Sequence, residues 1–91
     1  MKKISKQREE LFNFLMSRGW VEDNYGNLKK TFTDKEGKTE LRRYKFNDIS
    51  FRYEFQYVSP GGEKSWLRIR GAYYKDVSIV DNKISLTKTI K

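Results

Sequence analysis

The segment from Ile49 to Tyr57 constrains the fold of this chain more than any other stretch. Its odd positions are large and apolar or aromatic, whereas its even positions are polar. An alternation with a period of two predicts a β-strand that has one buried face and one face in water. The chain must therefore bury one side of a sheet, and the other side carries polar residues such as Arg52.

Similar short segments lie on both sides of this strand and are separated by turn residues. The sequence predicts strands at residues 20–22, 28–33, 39–46, 49–58, 64–74, 77–80 and 83–90. Gly, Asn, Asp, Ser and Pro occupy the connections, which are short and therefore favour sequential antiparallel hairpins. We expect a curved, mainly antiparallel meander of about five to six strands, either open or closed in a barrel-like way.

Residues 5–18 have the spacing of an amphipathic helix. Five residues share one side of this helix: Arg8, Leu11, Phe12, Leu15 and Met16. Ser5 is a suitable N-cap, and Gly19 should end the helix in a left-handed conformation, so that Trp20 folds back onto Leu15. The predicted fold class is α+β, with the N-terminal helix packed on one face of the sheet.

Length and composition predict one domain that spans residues 1–91. The chain has 91 residues, one proline and no low-complexity linker, and a chain of this size buries enough surface for one core. Residues 1–4 include two lysines and could form a disordered basic arm. No apolar run is long enough to cross a membrane and there is no cysteine, so we expect a cytoplasmic protein without a membrane partner.

The register of the strands can be predicted because residues opposite each other in a ladder share a face. We expect a two-residue turn at residues 47–48, a five-residue loop at 59–63 and a turn at 81–82. The predicted pairs are Phe46 with Ile49, Tyr44 with Phe51, Arg43 with Arg52, Phe55 with Leu67, Gln56 with Trp66, Glu54 with Arg68, Tyr53 with Ile69, Phe51 with Gly71, Arg52 with Arg70, Ile79 with Ile84, and Val77 with Leu86. These pairs place Arg43, Arg52 and Arg70 in one row.

The helix covers the apolar face of the predicted sheet, so the opposite face, here called the open face, is exposed. Seven candidate binding residues lie on it: Arg43, Lys45, Arg52, Trp66, Arg68, Arg70 and Tyr74. The chain has 20 lysines and arginines against 12 aspartates and glutamates, and this net charge of +8 favours polyanions. Arginine suits phosphate oxygens, and tryptophan and tyrosine rings can stack on unpaired bases. We therefore expect a small basic protein that binds DNA or RNA without catalysis.

The same face also allows a different interpretation, in which the protein binds another protein. Trp, Tyr and Arg dominate the hot spots of protein interfaces. A small phage or mobile-element inhibitor that binds a host protein through this face is therefore the alternative. The chain could be a monomer, or two copies could form a homodimer through an edge strand.

Catalysis has little support in the composition. The chain has no histidine and no cysteine, which removes the usual general base, the thiol nucleophile and the soft ligands of zinc. We expect no catalytic residue, metal or cofactor. The enzymatic alternative is cleavage of RNA with Glu54 as the base, assisted by Arg52, Arg68 and Tyr74.

The first half of the chain has the order helix, Gly19-Trp20, and then segments that run through Gly26 to Phe32 and through Gly37 to Phe46. This order resembles the start of HicA-type toxins, whose fold is like that of double-stranded-RNA-binding domains. The resemblance covers about half of the chain. The catalytic histidine of that family has no counterpart here, and no closing helix is predicted, so the resemblance implies a fold for this half and no activity.

Overall fold

The structure, a computed structural model, describes residues 5–90, and the expected basic arm at residues 1–4 lies outside this range. Its elements are α1 (Lys6–Ser17), β1 (Val21–Glu22), β2 (Leu28–Thr33), β3 (Thr39–Phe46), β4 (Ser50–Val58), β5 (Lys64–Tyr73), a 3₁₀ turn (Tyr74–Asp76), β6 (Val77–Val80) and β7 (Lys83–Leu86). In this part of the chain no helix has the length and apolar character needed to span a membrane.

The predicted α+β class is confirmed, and the sheet is open. Five strands form one antiparallel sheet in the order β1-β2-β3-β4-β5, and β6 and β7 form a separate two-stranded sheet. The last predicted strand is shorter than expected, because β7 ends at Leu86. Ile90 instead forms an isolated bridge with Gly71 at the outer edge of β5.

Both ends of α1 follow from the residues that flank it. The side chain of Ser5 accepts a hydrogen bond from the backbone N–H of Arg8 (3.0 Å), as an N-cap does. At the other end Gly19 has a φ of 91°, a left-handed conformation that glycine adopts without strain. The N–H of Trp20 then reaches the carbonyl of Leu15 (3.1 Å). This geometry is a Schellman motif, and it directs Trp20 into the core as predicted.

The core lies between α1 and one face of the sheet. Its buried residues are Leu11, Leu15, Trp20, Leu28, Phe51, Tyr53, Ala72, Tyr74 and Val77. Four of these residues are aromatic, and the ring of Trp20 makes edge-to-face contacts with Phe32, Tyr44 and Tyr53. Met16 was predicted in this interface but is 45% exposed. Phe14 packs partly against the core instead.

The register between β3 and β4 differs from the prediction by two residues. The connection is a four-residue turn, in which Asn47 donates its N–H to the carbonyl of Ser50 (2.8 Å), so Phe46 faces Phe51. Ile49 lies in this turn and is 67% exposed. A shift of two residues keeps every side chain on its predicted face. It nevertheless places Arg43 opposite Glu54 rather than Arg52.

The register between β4 and β5 is as predicted only for its first part. Phe55 faces Leu67 and Glu54 faces Arg68, but a β-bulge follows, and Tyr53 then faces Arg70. The extra residue is Ile69, and it moves every later side chain of β5 to the other face. The predicted pairs of Tyr53 with Ile69, Phe51 with Gly71 and Arg52 with Arg70 are therefore wrong. The last hairpin is confirmed, with Ile79 opposite Ile84 and Val77 opposite Leu86.

Candidate nucleic-acid interface

The open face carries most of the cations on the sheet. Alternation along each strand and pairing across the ladders assign its side chains. Its cations are Lys29, Arg43, Lys45, Arg52, Lys64 and Arg68. Among the described strand residues of this face, the one carboxylate is that of Glu54. The face is therefore strongly basic.

A buried ion pair lies at the centre of the open face. Glu54 is 4% exposed, and Arg43, directly opposite on β3, donates from Nε to its Oε1 at 2.7 Å. A charged pair with this little contact with water depends on both partners, because removal of one leaves the other charge buried and unpaired. Arg43 thus belongs to the predicted face, but its guanidinium neutralises Glu54.

Trp66 is partly covered by cations. The guanidinium of Arg43 lies 4.1 Å from the centre of its ring, and Lys29 Nζ lies 5.9 Å from it. Lys29 also forms an ion pair with Asp23 (3.4 Å). These cation–π contacts hold the ring against the sheet and occupy part of the surface on which a base could stack. Lys29 was missed in the sequence, although extending the register to β2 would have placed it opposite Arg43.

Lys45, Arg52 and Arg68 form a second group, here called the basic cluster. Lys45 on β3 lies directly opposite Arg52 on β4. The stems of Arg52 and Arg68 converge over Gly71, because a Cβ on that glycine would lie 3.9 Å from Arg52 Cγ and 3.9 Å from Arg68 Cδ. Within residues 5–90 the ion pairs involve other cations, and no carboxylate neutralises the three side chains of the cluster.

Two of the predicted site residues are not on the open face. Arg70 follows the bulge, and its guanidinium lies 5.7 Å from the ring of Tyr53 on the side of the helix. Tyr74 is 2% exposed, and its hydroxyl donates a hydrogen bond to the carbonyl of Asn47 (2.7 Å). Burial raises the pKa of the Tyr74 hydroxyl to about 12. Tyr74 is therefore a core residue, and the predicted row of Arg43, Arg52 and Arg70 does not form.

Tyr73 takes the place that was predicted for Tyr74. It lies opposite Ser50 at the end of β5 and is 40% exposed. Since Ser50 and Arg52 alternate on the same face of β4, Tyr73 lies on the open face. The sequence did not indicate Tyr73 as a site residue, because the bulge at Ile69 cannot be predicted from the alternation alone.

The described residues contain no group of three or more acidic side chains that could hold a metal ion. Comparisons of the chain with protein-family models, curated proteins and solved structures found no match. The resemblance of the first half to HicA-type toxins therefore remains a similarity of pattern. The case for a function rests on the residues of this chain.

Proposed function

We propose that the protein binds nucleic acid through the open face and catalyses no reaction on it. The observation that carries this proposal is the basic cluster, whose three cations lie on neighbouring strands and have no carboxylate partner among residues 5–90. Like charges on neighbouring strands destabilise a sheet slightly in the free protein. Phosphate groups of a bound polymer would remove that repulsion and release counterions, which is the main source of affinity in non-specific binding.

The chemistry of the face favours contacts to the backbone of the polymer over contacts to its bases. Arginine and lysine bind phosphate oxygens, and such contacts carry no sequence information. The exposed ring of Tyr73 and the free part of Trp66 add flat apolar surfaces on which an unpaired base could stack. We therefore expect binding with little sequence preference.

The proposal is tested by measuring affinity for single-stranded and double-stranded DNA and RNA at low salt. The test variant reverses the cluster charges: Lys45→Glu, Arg52→Glu and Arg68→Glu. The control variant makes the same change in charge at exposed positions away from the open face: Lys35→Glu, Arg70→Glu and Lys83→Glu. We expect the test variant to lose binding and the control to lose much less. Equal losses, or no binding by the wild-type protein, would contradict the proposal.

A second candidate function, binding of a host protein, is favoured by a different observation. The sheet extends beyond α1, and Tyr57 and Leu67 there are each 44% exposed on the side that the helix covers elsewhere. Exposed aromatic and aliphatic side chains of this kind occur at protein interfaces. A partner that binds wild-type protein and the charge-reversed test variant equally, but not Leu67→Asp, would favour this function.

A further inference from the structure

We infer that Arg52, Arg68 and Gly71 form a clamp for one phosphodiester group of a nucleic-acid strand. This inference rests on the proposed function, because it assigns to particular atoms the phosphate contacts that the function requires. The clamp differs from the predicted arginine row in its members. It takes one arginine from each of β4 and β5, and the missing side chain of Gly71 lies between them.

Gly71 lies beside the stems of both arginines. It lies opposite Arg52 and three positions after Arg68, on the other side of the bulge. The space that a Cβ would fill is bordered by the stems of both arginines, and the same Cβ would lie 3.0 Å from the carbonyl oxygen of Phe51. The contact with the carbonyl of Phe51 is tight, so a larger residue would disturb the strand that carries the stems. The bulge and the glycine thus place the stems of two arginines beside the same residue of the sheet.

The electrostatic environment leaves this place available to an anion. Glu54, which lies opposite Arg68 in the ladder, is engaged by Arg43 at 2.7 Å. Lys45 lies opposite Arg52 and adds a third positive charge. Both arginines of the clamp are exposed. Positive charges on neighbouring strands attract an anion, and a phosphodiester has two free oxygens that can accept hydrogen bonds from arginines.

The shape of the site favours a polymer over a small molecule. The clamp lies on an exposed sheet surface, whereas sites for small ligands are concave and bury most of the ligand. A single phosphate on such a surface is held weakly, but a strand with several phosphates gains from each neighbouring contact. The adjacent lysine at position 45 provides the next such contact.

Replacement of arginine by lysine tests whether binding requires the guanidinium groups of the clamp or only their positive charge. The variant Arg52→Lys/Arg68→Lys keeps the net charge but loses the forked donors. We expect its affinity for an oligothymidylate to fall about tenfold, since one or two hydrogen bonds to a charged group are lost. Arg70→Lys, a matched change on the helix side, should bind like wild type. Unchanged affinity in the double variant would overturn the clamp.

A spectroscopic measurement locates the contact directly. In the wild-type protein the Nε–Hε resonances of arginine are followed by NMR during addition of inorganic phosphate and then of the oligothymidylate. We expect both additions to shift Arg52 and Arg68 and to leave Arg70 in place. Equal shifts at all three arginines, or none at the two clamp residues, would overturn the clamp even if the polymer binds. Phosphate shifts at the clamp without polymer binding would overturn the proposed function, and with it the clamp as a contact to a nucleic-acid strand.

Discussion

The two faces of β3, β4 and β5 differ in what their side chains contact. On the side of the helix, Phe51 packs at a tilt against Tyr44, with ring centres 5.6 Å apart, and stacks on Tyr74 at 6.3 Å. On the open side the same strands carry the exposed Arg52 and Arg68 and the half-buried Lys45. The difference shows that the apolar core packs against one face of this small sheet. The other face is therefore free to carry repelling charges.

The cations of the two faces also differ in their partners. On the helix side Arg42 donates to the hydroxyl of Tyr53 (2.8 Å) and pairs with Glu40, and Arg70 lies over the ring of Tyr53. Contacts to aromatic and carboxylate groups satisfy these two arginines within the fold. The basic cluster has no comparable neutralising contact within residues 5–90. The candidate site therefore differs from the helix side in whether its arginines have partners within the fold, and less in how many arginines it has.

The largest effect is expected from a change on the helix side. Phe51→Ala removes a ring that is 1% exposed, and we expect a loss of about 3 to 5 kcal/mol in the free energy of unfolding. The matched control is Ile49→Ala, which should change it by less than about 0.5 kcal/mol because Ile49 is exposed in the turn. Urea denaturation measures both. A large loss for Ile49→Ala would favour the two-residue turn and contradict the register described above.

A smaller effect is expected from the ion pair on the open face. Arg43→Met leaves the buried carboxylate of Glu54 without its partner, and we expect a loss of about 2 to 3 kcal/mol. Arg52→Met, the same change at an exposed neighbour, should cost less than about 0.5 kcal/mol. The added change Glu54→Leu should restore part of the stability of Arg43→Met. Similar losses for the two arginine variants would remove the distinction between Arg43 and the basic cluster.

The burial of Tyr74 on the helix side should make the stability of the protein depend on pH above about pH 10. The pKa of Tyr74 is about 12 in the folded protein and about 10 when unfolded, so the unfolded chain loses this proton first. Stability from this group is complete below about pH 10, and it falls by about 1.4 kcal/mol per pH unit between pH 10 and 12. Tyr74→Phe should flatten the fall measured by urea denaturation across this range. An unchanged slope would mean that Tyr74 is not buried as described.

Much of the fold could be predicted because its signals are local. Ser5, Gly19 and the alternation from Ile49 to Tyr57 fix the helix ends and the strand faces through backbone geometry. An error of two residues in a turn preserves the faces, so Lys45 and Arg52 lie where the sequence predicted. Their neighbours across the ladder were nevertheless wrong, since pairing depends on the length of the turn.

The site could not be predicted in full because β5 contains a β-bulge, in which Ile69 is the extra residue. Ile69 continues the alternation of β5 without interruption in the sequence, yet the structure places the bulge there. The bulge accompanies the burial of Ala72 and Tyr74 in the core, and this packing is not visible in the sequence of a single strand. The bulge removes Arg70 from the face and brings Gly71 beside Arg52. It therefore replaces the predicted row with the basic cluster.

The salt dependence of nucleic-acid binding tests the central claim most directly, that the open face holds phosphates. The slope of log affinity against log salt is measured for wild type, for Lys45→Gln/Arg52→Gln/Arg68→Gln, and for the control Lys35→Gln/Arg70→Gln/Lys83→Gln. Each lost phosphate contact should flatten the slope by roughly 0.7 to 0.9. We predict a reduction of about 2 to 3 for the cluster variant and almost none for the control. Equal slopes for the two variants would contradict the claim.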